Sequence, residues 1–317
     1  MDLTPDGGPD LIRDVVPADY SPPGNKNQVK VAALAFFLSL DLAGSTALKI
    51  RQDNWADVIR YFYGQAVEQV QDAESTFRVW KYIGDEVVFY TYTSDLAHLQ
   101  DWISIGFRSE RSILDALIRQ FPDLEGRVSV KGIAWIAPVT GYADLDVSGA
   151  DANAITESLT TAGNLRANDL SFRDTRDNVD FIGPSIDAGF RLARFARPLQ
   201  LVVSPALAYY FLKGAKRTND FRVVGFESLK GVARGELYPA VWYHENWERV
   251  SSDFGYVERF TDDVVQRVCA SRHESIEVLD DVRFAIGNDG YFFDVDLLEQ
   301  LVKNSASVVP HLLNEKP

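Results

Sequence analysis

The sequence predicts an α+β domain with a ferredoxin-like βαββαβ core, an antiparallel sheet carrying helices on one face, and a small C-terminal extension. Three observations lead there. Residues 31–46 form an apolar run rich in β-formers that closes on Asp41 and the small-residue turn Gly44-Ser45-Thr46, the pattern of a buried strand. Residues 77–92 divide into two β-rich runs that meet at Gly84-Asp85, a dipeptide suited to a hairpin turn. Stretches of helical periodicity follow the first strand and the hairpin, and a further strand closes the pattern.

Taken in order, residues 1–30 are rich in Pro, Gly and Asp and read as a flexible tail. Residues 46–74 place Leu48, Trp55, Val58, Ile59, Phe62 and Val67 at helical spacing, a face to pack on the sheet. Residues 94–121 open on Ser94, a good N-cap, and carry the stripe Leu96, Leu99, Ile103, Leu114, Leu117 and Ile118. Residues 127–140, with Val128, Val130, Ile133 and Trp135, read as the next strand. The polar stretch 144–179 is a long excursion. After it come a helix over 183–196, a short strand over 199–204, a helix over 205–213 opened by proline, and a hairpin from 221–226 and 236–243. The core domain thus spans 31–244. Residues 245–317 form the extension, with helical patterns at 260–268 and 296–303 and a hairpin pattern around Gly287-Asn288-Asp289-Gly290.

Composition narrows the function. With 46% hydrophobic and 12% aromatic residues, 317 residues suffice for one large domain and a small addition. No run of 18 apolar residues occurs and the amino terminus is acidic, so the expectation is a cytoplasmic protein with no membrane partner. One cysteine, Cys269, and four scattered histidines (His98, His244, His273 and His311) offer neither a disulfide nor a zinc spacing. A net charge of −14 argues against nucleic acid. An anionic nucleotide would need local cations and metal to hold it.

Asp41 is the focal residue, an acid at the carboxyl end of a buried strand. The turn 42–46 frees backbone N–H groups where a helix starts, which suits phosphate oxygens. Asp85, presented at the hairpin turn, is placed to meet it. Two carboxylates plus phosphate oxygens are what Mg²⁺ or Mn²⁺ takes as ligands.

Asp41-Leu42-Ala43-Gly44-Ser45-Thr46, then Lys81-Tyr82-Ile83-Gly84-Asp85, then the motif from Asp180 to Leu192, then Leu229-Lys230-Gly231 together resemble the class III nucleotidyl cyclases, in that family's order and roughly its spacing, over residues 31–243. The resemblance implies the same βαββαβ core and a cyclase that closes a nucleoside triphosphate to its 3′,5′-cyclic monophosphate with loss of pyrophosphate. It implies two divalent metal ions, Mn²⁺ or Mg²⁺, on Asp41 and Asp85 with help from the Leu42 carbonyl, and phosphate contacts from Gly44, Ser45 and Thr46. Arg191 matches the arginine that stabilises the transition state, Lys230 the lysine that grips the terminal phosphates, and Lys81 with Asp180 the pair that reads the base. A homodimer with shared sites is implied, Asp41 and Asp85 coming from one chain and Lys81, Asp180, Arg191 and Lys230 from the other. The free-standing organisation is similar to the bacterial uridylate cyclases of Pycsar antiphage signalling, which favours UTP as substrate and cUMP as product.

Asp187 departs from the family, which has asparagine there; an ionised acid repels phosphate, so a contact to a ribose hydroxyl suits it better. The donor and acceptor Lys81 and Asp180 fit adenine and uracil alike, which keeps an adenylate cyclase making cAMP as the alternative. Ile83-Gly84-Asp85-Glu86 is also similar to the turn of the diguanylate cyclases, but that reading leaves Arg191 and Lys230 without a role. A catalytically dead nucleotide-binding module is the third reading.

Overall fold

A computed structural model of the chain describes residues 28–51, 54–144, 164–166, 180–214, 221–230 and 237–245, together with 299, 301–303, 306 and 309. The expectations for residues 1–27, for most of the excursion 144–179 and for most of the extension lie outside these. Strand β1 (Gln28–Ala43) begins three residues inside the span read as a tail, because its first residues pair with the end of a neighbouring strand.

The elements follow the expected order. After β1 come α1 (Ser45–Arg51), α2 (Trp55–Ala73), the hairpin β2 (Arg78–Ile83) and β3 (Glu86–Thr93), α3 (His98–Gln120) and β4 (Ser129–Asp144). The helical stretch after β1 is therefore two helices. The second starts afresh at Asn54, whose carbonyl accepts from the N–H groups of Asp57 and Val58. Trp55, expected in the core, sits at that start and is 40% exposed. Helix α3 begins four residues later than Ser94, after a turn in which Asp95 accepts from the Ala97 N–H, so Ser94 is not its cap. Then come β5 (Asn164–Arg166), β6 (Phe181–Ile182), α4 (Pro184–Arg191) running into a 3₁₀ turn (Leu192–Phe195), β7 (Leu201–Val203), α5 (Pro205–Gly214), β8 (Phe221–Ser228) and β9 (Leu237–Tyr243). The short strand β5 lies inside the stretch read as a loop.

The strands form one sheet in the order β2-β3-β1-β4-β7-β9-β8, with β5 paired to β4 and β6 to β5. Its first four members are the antiparallel ferredoxin-like core. Beyond them the sheet is mixed, since β4 runs parallel to both β5 and β7. Strands β1 and β4 stay in register over all sixteen residues of β1, from Gln28 opposite Asp144 to Ala43 opposite Ser129, and fix the centre of the sheet.

Because successive side chains alternate faces, that register sorts the sheet into two surfaces. Phe36, Leu38 and Leu40 face the helical side, where Phe36 meets Phe77 and Trp102 and Leu38 approaches Gly106 of α3. Phe37, Ser39 and Asp41 face the other side, opposite Trp135, Ile133 and Lys131 of β4. On this second surface α4 packs against β4 with Gly189 over the Trp135 ring. Part of the extension joins the core, for Leu301, Val302 and Val309 are buried in it.

Candidate active site

The acids converge through the backbone first. The Leu42 N–H donates to the Asp85 carbonyl at 3.1 Å, which ties the hairpin tip to the end of β1. Gly84 has φ +67°, the first central position that glycine fills in a type II′ hairpin turn, and its carbonyl accepts from the Tyr63 hydroxyl of α2. Gly44 closes the strand with φ +91°, and a Cβ there would lie 2.4 Å from the Arg127 carbonyl oxygen, so no other residue fits this turn.

Side chains complete the cluster. The Ser45 hydroxyl and the Lys49 ammonium, one turn apart on α1, both donate to Asp85, the lysine at 3.2 Å. Lys131 on β4, directly opposite Asp41 in register, ion-pairs with it at 2.7 Å. Asp41 and Asp85 lie within hydrogen-bonding reach of each other. Burial raises the Asp41 carboxyl above its ordinary value of 3.8 against the pull of Lys131, and the neighbouring Asp85 adds to the rise. Burial alone would raise Asp85 too, but donors from Ser45, Lys49 and Asp41 outweigh it and hold Asp85 below that value. Glu86, opposite Asp41 on β3, is raised by burial although the Ser39 hydroxyl donates to it.

Two carboxylates this close repel unless a proton or a cation lies between them, and the donor set is all oxygen, so the pair fits a hard divalent ion. Among the described residues no group of three or more Asp, Glu, His or Cys is arranged to hold a metal. Two carboxylates fit the habit of Mg²⁺, which keeps waters and takes substrate phosphates for the rest of its shell.

Lys81 and Asp180, expected as the pair that reads the base, lie against each other, Nζ to Oδ1 at 2.7 Å. The Trp80 indole N–H at 3.1 Å and the Phe181 backbone N–H at 3.0 Å donate to the same oxygen. Burial by itself would raise Asp180, but the hydrogen bond from Lys81 and then the Phe181 N–H bring its carboxyl below 3.8. A β-bulge between Val79 and Lys81 leaves Trp80 as the extra residue of β2. It turns the indole onto the face that Lys81 shares, with the ammonium 4.0 Å from the ring centroid. Trp80 then packs on Phe37, Phe181 and Phe190. Tyr82 points the other way, to Tyr63 of α2.

The remaining expected residues stand apart from the acids. Asp187 and Arg191 share one exposed face of α4, four residues apart. That helix seats on Trp135, four residues along β4 from Lys131, which at a strand's rise is about 13 Å from the acids. Lys230 is exposed just past β8, on the buried anchor Leu229. Strand β8 is four strand spacings from β1, about 19 Å across the sheet. Thr46 is exposed beside the acids, and the buried Ser45 spends its hydroxyl on Asp85.

Sequence reasoning missed Lys131, Lys49, Ser39 and Glu86. Lys131 left one signal, a charged residue inside a strand otherwise apolar or small from Val128 to Val139.

No family model matches the sequence, and no curated protein matches it. Solved structures do resemble the fold. The adenylyl cyclase CyaB from P. aeruginosa is 13% identical with a TM-score of 0.46, covering 68% of this chain and 96% of its own. The guanylyl cyclase Cya2 is 15% identical with a TM-score of 0.44, covering 68% and 92%. An adenylate/guanylate cyclase/hydrolase from Silicibacter pomeroyi is 16% identical with a TM-score of 0.42, covering 68% and 99%. Identities this low leave the chemistry to be decided by the chain's own residues.

Proposed function

We propose that this protein is a metal-dependent nucleotide cyclase that converts a nucleoside triphosphate, UTP by preference, to the 3′,5′-cyclic monophosphate and pyrophosphate. The observation that carries the reading is the convergence of Asp41 and Asp85, locked by the Leu42 to Asp85 backbone bond and surrounded by Ser45, Lys49 and Lys131. A divalent ion held there by Asp41 and Asp85 would supply charge neutralisation for the phosphates and would acidify the attacking 3′ hydroxyl. Asp41, Asp85 and the Leu42 carbonyl would hold that ion, and the turn at Gly44 lies beside them to meet the phosphates. In the closing step the 3′ hydroxyl gives its proton to solvent, and the 3′ oxygen bonds to the α-phosphorus as the bond between that phosphorus and the pyrophosphate oxygen breaks, releasing pyrophosphate. Arg191 balances charge on the transferring phosphoryl group, Lys230 holds the terminal phosphates and Asp187 the ribose hydroxyl.

Trp135, on which α4 seats, and β8, which precedes Lys230, stand about 13 Å and about 19 Å from the acids by strand geometry, a spacing that supports a two-fold homodimer whose sites each draw acids from one protomer and Lys81, Asp180, Arg191 and Lys230 from its partner. Ile83 and Ile182, each 43% exposed beside the Lys81–Asp180 pair, offer apolar surface for such a contact.

Base choice rests on the bulge. The Trp80 ring lies against both Lys81 and Asp180, bulk at the base-reading pair that supports the shorter pyrimidine, which would offer O4 to the ammonium and N3–H to the carboxylate. The resemblance to the uridylate cyclases of antiphage signalling supports a second-messenger synthase of that type as the role we assign. Incubation with Mn²⁺ and each of the four nucleoside triphosphates, with products identified by mass spectrometry, tests the reading. Cyclic UMP as the dominant product supports it, cyclic AMP returns Lys81 and Asp180 to adenine, and no cyclic product with any base overturns the cyclase.

A further inference from the structure

Each of the two acids carries its own lysine. Lys131 is bound to Asp41 at 2.7 Å and Lys49 to Asp85 at 3.2 Å, from different elements, and all four side chains are between 25% and 35% exposed. Lys131 is also the one residue between Val128 and Val139 that is not fully buried, a cation set into the central strand of the sheet at the register position of Asp41. A half-buried ion pair adds little stability, so packing alone gives no reason for it.

Resting on the cyclase reading, we propose that Lys131 and Lys49 are exchangeable counter-ions: they hold the carboxylates while the site is empty and move to the triphosphate when a metal ion takes the acids. An ammonium that donates to Asp41 Oδ2 lies where a cation would approach that oxygen, and a divalent ion and an ammonium on one carboxylate repel each other. Metal entry therefore releases two cations, of which Lys131 keeps only the attraction of Glu86, an acid already held by the Ser39 hydroxyl. The triphosphate brings the anionic oxygens that take them, and a flexible four-carbon stem lets each ammonium follow. Metal alone binds weakly, nucleotide alone meets a site whose lysines are occupied, and the two together bind well. By linkage each tightens the other by the same factor.

The test is direct binding, read by electron paramagnetic resonance of free Mn²⁺, with and without the 3′-deoxy forms of UTP and ATP, which lack the attacking hydroxyl. In the wild-type protein either analogue that binds should tighten Mn²⁺ at least tenfold. Lys131→Met and Lys49→Met should each bind Mn²⁺ alone about fivefold tighter than wild type, the scale of a partly exposed ion pair, and lose most of the tightening by nucleotide. Lys131→Arg, which keeps the charge, should stay close to wild type. Mn²⁺ affinities in both methionine variants equal to or weaker than wild type overturn the proposal, as does an arginine variant that shifts like the methionine one. Asp41→Asn separates this failure from that of the cyclase reading: if Asp41→Asn binds Mn²⁺ as the wild type does, the metal site itself is refuted. Circular dichroism checks each fold, and Lys131→Gln replaces Lys131→Met should the latter not fold.

Discussion

Gly189→Ala tests how α4 is seated, and with it the position of Arg191. The new Cβ would sit 2.4 Å from two carbons of the Trp135 ring and 2.5 Å from its nitrogen, well inside van der Waals contact. Trp135 has little room to retreat, being 1% exposed, stacked on Phe37 at 5.1 Å and tilted against Phe190 at 5.5 Å. Overpacking of this kind costs about 1–3 kcal/mol, while alanine for glycine inside a helix returns about 0.5–1 kcal/mol. The net expectation is a loss of about 1–2 kcal/mol, with α4 pushed off the sheet and turnover reduced more than stability. Gly64→Ala in α2 is the internal control, since nothing lies within 4 Å of its added methyl, and it should stabilise by about 0.5–1 kcal/mol. Urea unfolding of both variants, alongside kcat, measures these effects. Trp135→Phe shortens the ring system that the methyl strikes, so the double variant should recover part of the loss. If Gly189→Ala proves as stabilising as Gly64→Ala, the packing of α4 on Trp135 is wrong.

Further outcomes follow from the site. Asp41→Asn and Asp85→Asn should each lower kcat by about a hundredfold or more while the urea midpoint moves little, because neither opens a core cavity; substantial residual turnover in either variant removes it from the metal site. Equal mixing of Asp41→Asn with Arg191→Ala, under conditions where chains exchange, should restore about a quarter of wild-type activity, since half the dimers then carry one intact site; exchange without recovery refutes shared sites. Asp180 has a folded value below its ordinary 3.8. Its bonds to Lys81, Trp80 and Phe181 therefore stabilise the protein above that value, and the stabilisation is lost as pH falls through the lower folded one. The difference in urea midpoint between wild type and Asp180→Asn should be constant above about pH 5 and shrink below about pH 4. A difference that instead disappears on the alkaline side breaks the assignment.

What the sequence disclosed, and what it withheld, divides along local and non-local lines. Asp41 and Asp85 were legible because each sits beside its own turn, and the turn residues Gly44 and Gly84 announce it. The βαββαβ order was legible from periodicity, and the sheet order β2-β3-β1-β4 is the one that order predicts. The lysines were not legible as partners, because their meeting with the acids depends on the β1–β4 register and on the turn of α1 beneath the hairpin tip, neither of which is written in any window of sequence. Strands β5 and β6, of three and two residues, exist through pairing with each other and with β4, so no local pattern marks them. The break before Trp55 was hidden because apolar spacing continues across it.

In the cyclase reading proposed above, the bulge in β2 makes base choice a matter of counting residues as much as of their kind. Trp80 and Lys81 lie side by side only because one residue of β2 goes unpaired. Loss of a single residue there would restore the alternation and send either the indole or the ammonium to the opposite surface, with the hairpin, Gly84 and Asp85 still in place. On that reading, one codon deleted from an edge strand would rearrange the base-reading pair while leaving Asp41, Asp85 and the central sheet untouched. Sequence comparisons that tally substitutions at fixed positions would pass over such a change, whereas the length of the segment from Phe77 to Gly84 records it.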